Sequence, residues 1–385
     1  MRIVFISLMG GVPWGGSEAL WSKTADLALE QGHQVFVSVY IWEAVHSKLI
    51  ELKQRGAILH FRDRYDPALP FFRKLKSYVK NHFQKSSDEY KELWDFNPDV
   101  VLINQGNNFD IVVHHYQLYQ EIRDRGTRYS IICHSHSQYG AIPDKNIYPR
   151  GKEVFLNAKS IFFISNRQKM LTERALCTRL DNAVHTWNPL NLKENKCLDG
   201  LEDKIVQFAV VASMDSNKGH DTLFEVLSGK LWQDRDWHLN LYGEGYGKEY
   251  LIDLAEFFKI SERLTFHGFV NDISEVWKKN HILLIPSAGE GLPISLCEAM
   301  ICGRPAVVTD VGGNTEMIKE GRTGFIASAP TVSSFAEAME RAWSNIEKWE
   351  EMGRKAYEFA SKNIDISPEK TLLIHIILNK EQAQN

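Results

Sequence analysis

The sequence predicts an α/β protein with two doubly wound parallel-sheet domains, and three observations carry that expectation. The chain has 385 residues, and at roughly 100–200 residues per domain this is enough for two. Short apolar runs of β-branched and aromatic residues alternate with stretches of helical periodicity. The alternation runs through once, is interrupted by a polar stretch, and then runs through again. Runs that are apolar at every position, rather than at every second one, are typical of strands covered on both faces, as in parallel sheets flanked by helices.

In the first half the strand signals are residues 3–8, 34–40, 100–104, 129–133 and 160–164. Residues 18–29 read as a helix, with Ala19, Leu20, Ala25, Leu27 and Ala28 on its apolar side. In the second half strands are expected at 205–211, 238–242, 264–266, 282–285, 306–309 and 324–327. Between the halves, Trp187-Asn188-Pro189-Leu190-Asn191-Leu192 runs into a polar stretch, and Pro189 interrupts regular structure. The linker is therefore placed at about 188–203, and the domains at 1–190 and 191–365.

Composition narrows the function classes. Apolar residues make up 44% and charged residues 24%, the mix of a globular chain with a full core. A net charge of −4 argues against general nucleic-acid binding, which favours a basic balance. The cysteines Cys133, Cys177, Cys197, Cys297 and Cys302 are scattered without a C-x-x-C pair, which suggests neither a zinc site nor a disulfide framework and fits a reducing cytoplasm. The apolar N-terminal run is short and ends in Gly10-Gly11-Val12-Pro13, so it reads as a buried first strand rather than a signal peptide. No segment reaches the ~18 apolar residues of a membrane span, and the expectation is a cytoplasmic protein, soluble or peripheral at the inner membrane face.

One segment, residues 62–96, departs from the pattern. Phe71, Phe72, Tyr78 and Phe83 are interleaved with Arg73, Lys74, Lys76, Lys80 and Lys85. It can be an ordinary surface helix with its lysines outward, the commoner case. It can also be a basic amphipathic helix resting on anionic lipid near a lipid-linked acceptor.

Ligands of doubly wound sheets bind beyond the carboxyl ends of the strands. Three loops of interest fall there. Gly10-Gly11-Val12-Pro13-Trp14-Gly15-Gly16-Ser17-Glu18 joins the first strand to the first helix, where glycines allow close backbone approach and the helix N-terminus offers N–H groups to a phosphate. Its plainer reading is a flexible turn. Gly243-Glu244-Gly245-Tyr246-Gly247-Lys248 fails the dinucleotide pattern because Lys248 holds the third glycine position. It fails the P-loop pattern because Tyr242 and Glu249 stand at required positions, which leaves a turn lining a nucleotide pocket. The third loop runs Ser287-Ala288-Gly289-Glu290-Gly291-Leu292-Pro293-Ile294-Ser295-Leu296-Cys297-Glu298. Pro293 suits a first helical turn, which leaves Glu290 in the loop and Glu298 about a turn and a half into the helix. Backbone N–H groups between Gly291 and Ile294 are then open to a phosphate, while carboxylates accept hydrogen bonds from hydroxyls.

This loop resembles the E-x₇-E motif of the retaining GT-B glycosyltransferases grouped as family 4. The likeness covers most of the chain and is strongest from about Phe208 to Ala327. It extends to Gly303-Arg304-Pro305, Asp310-Val311-Gly312-Gly313-Asn314-Thr315-Glu316, the opening Gly-Gly-x-Pro-x-Gly-Gly-Ser-Glu and the turn Phe266-His267-Gly268-Phe269-Val270. The resemblance implies a GT-B fold, two Rossmann-like domains facing across a cleft, with a final helix in about 366–385 packing back on the first domain. It implies transfer from a nucleotide sugar, UDP-linked in preference to GDP-linked, to a glycan or lipid-linked acceptor, plausibly in surface polysaccharide synthesis.

By the same resemblance, Glu298 would hold the ribose hydroxyls and Glu290 the donor-sugar hydroxyls. Lys218, in Asn217-Lys218-Gly219-His220, would pair with the diphosphate, and Gly16 would lend it an N–H. Val270 would meet the base through backbone groups, and Gly243, Gly291, Leu292, Pro293 and Ile294 would line the donor pocket. No cofactor or metal is required, because cationic side chains and helix N-termini meet the leaving charge. Ser213 stands where the family usually has an arginine, so one expected cation is missing, and Arg304 is a candidate to compensate. His134 and His136, at the end of the 129–133 strand, both match a family histidine beside the transferring sugar. The sequence does not choose between them. The H-x-H spacing also allows a metal, but no nearby ligand cluster completes it. Retention implies attack from the side the diphosphate leaves, with a phosphate oxygen taking the acceptor proton. The rival readings are a GT-B sugar-nucleotide epimerase, a phosphorylase, and a catalytically weak nucleotide-sugar binding protein.

Overall fold

The computed structural model describes residues 1–63, 89–135, 145, 147–201 and 204–378. Two compact units divide the chain. The first takes Met1–Ile164, Gln168–Pro189 and the stretch from Ser367, and the second takes Ser165–Arg167 and Leu190–Ile366.

The first unit is built on a sheet of β1 (Arg2–Ser7), β2 (Gln34–Tyr40), β3 (Ile58–Arg62), β4 (Val100–Asn107), β5 (Arg128–Ser135), β6 (Ile161–Phe163) and β7 (Ala183–His185). Its strand order is β3-β2-β1-β4-β5-β6-β7, and every pairing is parallel. Both faces are covered, which explains the unbroken apolar runs. In β1, Ile3 and Phe5 join a cluster with Leu20, Trp21 and Ala25 of the helix Glu18–Glu30. Val4 and Ile6 join Leu118, Tyr119 and Ile122 of the helix Tyr116–Asp124 on the other face.

Two strands were not legible as strands. β3 is an edge strand that keeps Ile58 and Phe61 exposed, and its Ile-Leu-His-Phe-Arg sequence lacks a continuous apolar run. β7 has three residues, only partly covered. Arg62 therefore ends a strand, where the sequence placed the start of the basic amphipathic segment. The core of that segment, with Phe71, Lys74 and Lys80, lies outside the described residues, and a short helix Lys91–Asp95 stands at its far end. No described helix is long and apolar enough to cross a membrane.

The helix Pro368–Leu378 belongs to the first unit and packs on the helix Glu18–Glu30. Leu372, Leu373 and Ile376 are buried in the same cluster as Ile3 and Phe5. Trimming one methyl group here, as in Ile376→Val, is expected to cost about 1 kcal/mol, to be read from urea unfolding of the full chain.

The second unit is built on β8 (Val206–Val211), β9 (Trp237–Tyr242), β10 (Leu264–Gly268), β11 (Ile282–Ile285), β12 (Ala306–Thr309) and β13 (Gly324–Ala327). The order is β10-β9-β8-β11-β12-β13, again all parallel. Both sheets thus run outward from a central strand and then reverse, as doubly wound nucleotide-binding folds do. In the second sheet the reversal falls between β8 and β11.

Candidate active site

The chemistry-bearing residues of the second unit collect at that reversal. The loop after β8 and the loop after β11 lie side by side, tied by the Ala288 N–H, which donates to Asn217 O at 2.8 Å. Their approach depends on Gly219, whose φ is +70° and where a Cβ would stand 2.2 Å from Pro286 O. Only glycine accepts both conditions at little cost.

Across this junction Lys218 Nζ meets Glu290 Oε1 at 2.8 Å, an ion pair whose side chains are 20% and 10% exposed. Glu290 is held from several sides. Ser287 Oγ donates to the same Oε1 at 2.7 Å, and Thr309 Oγ1 donates to Ser287 O at 2.6 Å. From the loop after β12, Gly313 N–H donates to Gly291 O at 2.6 Å. Gly312, at φ +53°, lies so close that a Cβ would meet Glu290 O at 2.2 Å.

The helix Ile294–Ile301 starts directly after Pro293, which is its N-cap in extended conformation. The backbone N–H groups of Gly291, Leu292 and Ile294 donate no hydrogen bond among the described residues; Pro293 has none to offer. Glu298 is buried in this helix, and its Oε1 accepts the Asn191 N–H at 2.8 Å.

The remaining second-unit candidates sit on neighbouring strand ends. Ser213 Oγ donates to Asp215 Oδ2 at 2.6 Å. Gly243 follows β9, but its N–H is committed to Gly268 O at 2.8 Å, so it shapes the turn rather than offering a donor. Val270 lies just past β10, beside the exposed Phe269. Arg304 does not reach this region as a substitute cation. It is buried, its Nε donates to Trp277 O at 2.8 Å and its Nη1 to Asp199 O at 2.9 Å. Its charge is used to cap backbone carbonyls.

Residues 199–359 match the family described as Glycosyl transferases group 1. An uncharacterized glycosyltransferase of Haemophilus influenzae is 27% identical over 197 residues, covering 51% of this chain and 55% of that protein. A UDP-Gal:alpha-D-GlcNAc-diphosphoundecaprenol alpha-1,3-galactosyltransferase of Escherichia coli is 32% identical over 82 residues, 21% of each chain. The chain thus spans about half the length of the first relative and about a fifth of the second. The crystal structure of Anabaena Alr3699/HepE in complex with UDP is 15% identical and superposes with a TM-score of 0.72, covering 98% of this chain and 100% of that one. That likeness, with two all-parallel Rossmann-like sheets in one chain, makes the fold GT-B. The matched stretch contains Lys218, Glu290 and Glu298 together with their supporting glycines.

The first unit carries Gly16 and His134, outside the matched stretch. Gly16 is exposed in the loop after β1, and its N–H donates no hydrogen bond among the described residues. The same loop is anchored by Trp14, whose ring stacks on His46 at 4.2 Å. His134 is buried near the end of β5, with Nε2 2.8 Å from Asn104 Oδ1. Burial holds its imidazole at a pKa of about 4, so it is neutral at physiological pH. His136 lies outside the described residues.

The sequence reading passed over the polar groups behind His134. Glu18 is only 4% exposed, and burial raises its carboxyl to about 7 despite hydrogen bonds from Ser7 and Trp21 and the nearby Arg62. The signals were present: Asn104 closes the apolar run Val100-Val101-Leu102-Ile103, and Ser7 closes that of β1. A polar residue at the end of a buried strand is the position from which a doubly wound sheet addresses its ligand.

Proposed function

We propose that this chain is a retaining glycosyltransferase that moves a sugar from a nucleoside diphosphate donor, UDP-linked in preference to GDP-linked, to a glycan or lipid-linked acceptor in surface polysaccharide synthesis. The observation that carries the reading is the Lys218–Glu290 pair at the reversal of the second sheet, beside N–H groups, without a partner among the described residues, at the start of the helix that bears Glu298. An incoming diphosphate would sit on those N–H groups and draw Lys218 away from Glu290. Glu290, released, accepts hydrogen bonds from donor-sugar hydroxyls, and Glu298 holds the ribose. The acceptor hydroxyl bonds to the anomeric carbon from the side on which the carbon–oxygen bond to the diphosphate breaks. The acceptor proton passes to the departing phosphate oxygen, and Lys218 with the helix N-terminus meets the charge without a metal.

One observation favours a second reading, a catalytically weak nucleotide-sugar binding protein. Ser213 stands in place of a cation and is turned to Asp215, while Arg304 is occupied elsewhere. The two readings separate on turnover. Donor cleavage by water is followed by NMR with a panel of UDP- and GDP-sugars, and the anomer of the freed sugar is read before it mutarotates. Cleavage with retention supports the transferase reading. Inversion removes the retaining step, and tight binding without cleavage leaves the weak binding protein. Glu298→Ala is expected to weaken UDP binding by about tenfold or more, as loss of a hydrogen bond to a charged group does, measured by titration calorimetry.

A further inference from the structure

Behind His134 the first unit holds a continuous chain of buried polar groups that crosses three strands and the first helix. His134 Nε2 lies 2.8 Å from Asn104 Oδ1, Asn104 Nδ2 lies 3.4 Å from Ser7 Oγ, and Ser7 Oγ lies 2.8 Å from Glu18 Oε1. The indole Nε1 of Trp21 donates to Glu18 Oε2. All four side chains before Trp21 are under 9% exposed.

The direction of this chain is set by its obligate donors. An indole N–H can only donate, so Glu18 Oε2 is an acceptor. The Met9 N–H donates to Ser7 Oγ at 3.3 Å, so one Ser7 lone pair is taken. With Glu18 as carboxylate, the Ser7 proton goes to Glu18 Oε1. The Asn104 amide then presents Nδ2–H to Ser7 and Oδ1 to His134. That oxygen can only accept, so the imidazole proton belongs on Nε2. His134 Nδ1 is left buried and without a partner among the described residues.

We infer that Glu18, Ser7 and Asn104 are positioning residues that fix the Nε2–H tautomer of His134 and so present its bare Nδ1 lone pair as a hydrogen-bond acceptor. The group it suits is a hydroxyl donor; a phosphate or carboxylate oxygen would be repelled by the lone pair. Any use of that acceptor in sugar transfer rests on the proposed glycosyltransferase function and on the place that the family resemblance implies for His134, whereas the tautomer itself does not.

The test is ¹⁵N NMR of histidine-labelled full-length protein at about pH 8, where a Glu18 carboxyl raised to about 7 is mostly ionised. Wild type is expected to show protonated Nε2 and bare Nδ1 for His134. In Glu18→Gln the amide would donate to Ser7, the Ser7 proton would turn to Asn104 and the Asn104 amide would reverse, so the His134 proton is expected on Nδ1. Ser7→Ala, a smaller change should Glu18→Gln fold poorly, is expected to give a mixture of both tautomers. Asn104→Asp, which still accepts from Nε2–H, is expected to keep the wild-type tautomer. A wild-type spectrum with the proton on Nδ1, or a pure Nε2–H form in both Glu18→Gln and Ser7→Ala, would overturn the inference. Donor cleavage by His134→Ala is measured beside it: unchanged turnover removes His134 from the reaction and leaves the tautomer result standing.

Discussion

Lys218→Ala is expected to lower the rate of donor cleavage by about 10²–10³-fold, the range found when a preorganised donor to a developing anion is removed. Two features place the effect at the upper end. Ser213 supplies a hydroxyl where a second cation would stand, and that hydroxyl is already given to Asp215. Arg304 is buried on the carbonyls of Trp277 and Asp199 and brings no charge to the site. In the proposed reaction Lys218 would then be the side-chain cation that meets the leaving diphosphate, together with the helix N-terminus. Its removal also leaves the Glu290 carboxylate, 10% exposed, without its cation and close to an incoming anion. Lys218→Arg should recover part of the rate, since it keeps the charge in a different geometry. Release of the nucleoside diphosphate at saturating donor is the measurement. A loss below tenfold would mean that other groups carry the leaving charge.

The second large effect concerns Glu18 and pH. Its carboxyl rises from 4.5 to about 7 in the folded chain, chiefly because burial disfavours the charged form. Between those values the folded protein binds more protons than the unfolded one, so stability falls as pH rises through that window. At about 1.4 kcal/mol per pH unit the total is about 3 kcal/mol. The contribution is fully present below pH 4.5 and lost above about 7. Glu18→Gln cannot titrate. Relative to wild type, the variant is therefore expected to gain about 3 kcal/mol on going from the acid to the alkaline end of that window. Urea unfolding of both proteins across it checks this, and parallel pH profiles would show that Glu18 is ionised throughout.

The fold was legible because its strands are covered on both faces. β2, β11, β12 and β13 read to the residue, since their apolar runs are bounded by polar or turn residues. β3 and β7 escaped because edge strands need no continuous apolar run. At the site, Lys218, Glu290 and Glu298 carry a pattern in one dimension, and the fold brings the first two together across the sheet reversal. The chain from Glu18 to His134 has no such pattern. Its members come from the first helix, β1, β4 and β5, and only the strand order places them side by side. The burial of Arg304 was hidden for the same reason: its partners lie 27 and 105 residues away along the chain.

The central claim, that the second unit binds a nucleoside diphosphate sugar, is tested most directly by thermal shift against a panel of UDP- and GDP-sugars, with Glu298→Ala as control. Stabilisation by at least one of them, about 2.7 kcal/mol at a hundredfold excess over Kd, with loss of the shift in the variant, is the predicted result. No shift with any nucleotide in the wild-type chain would contradict the account.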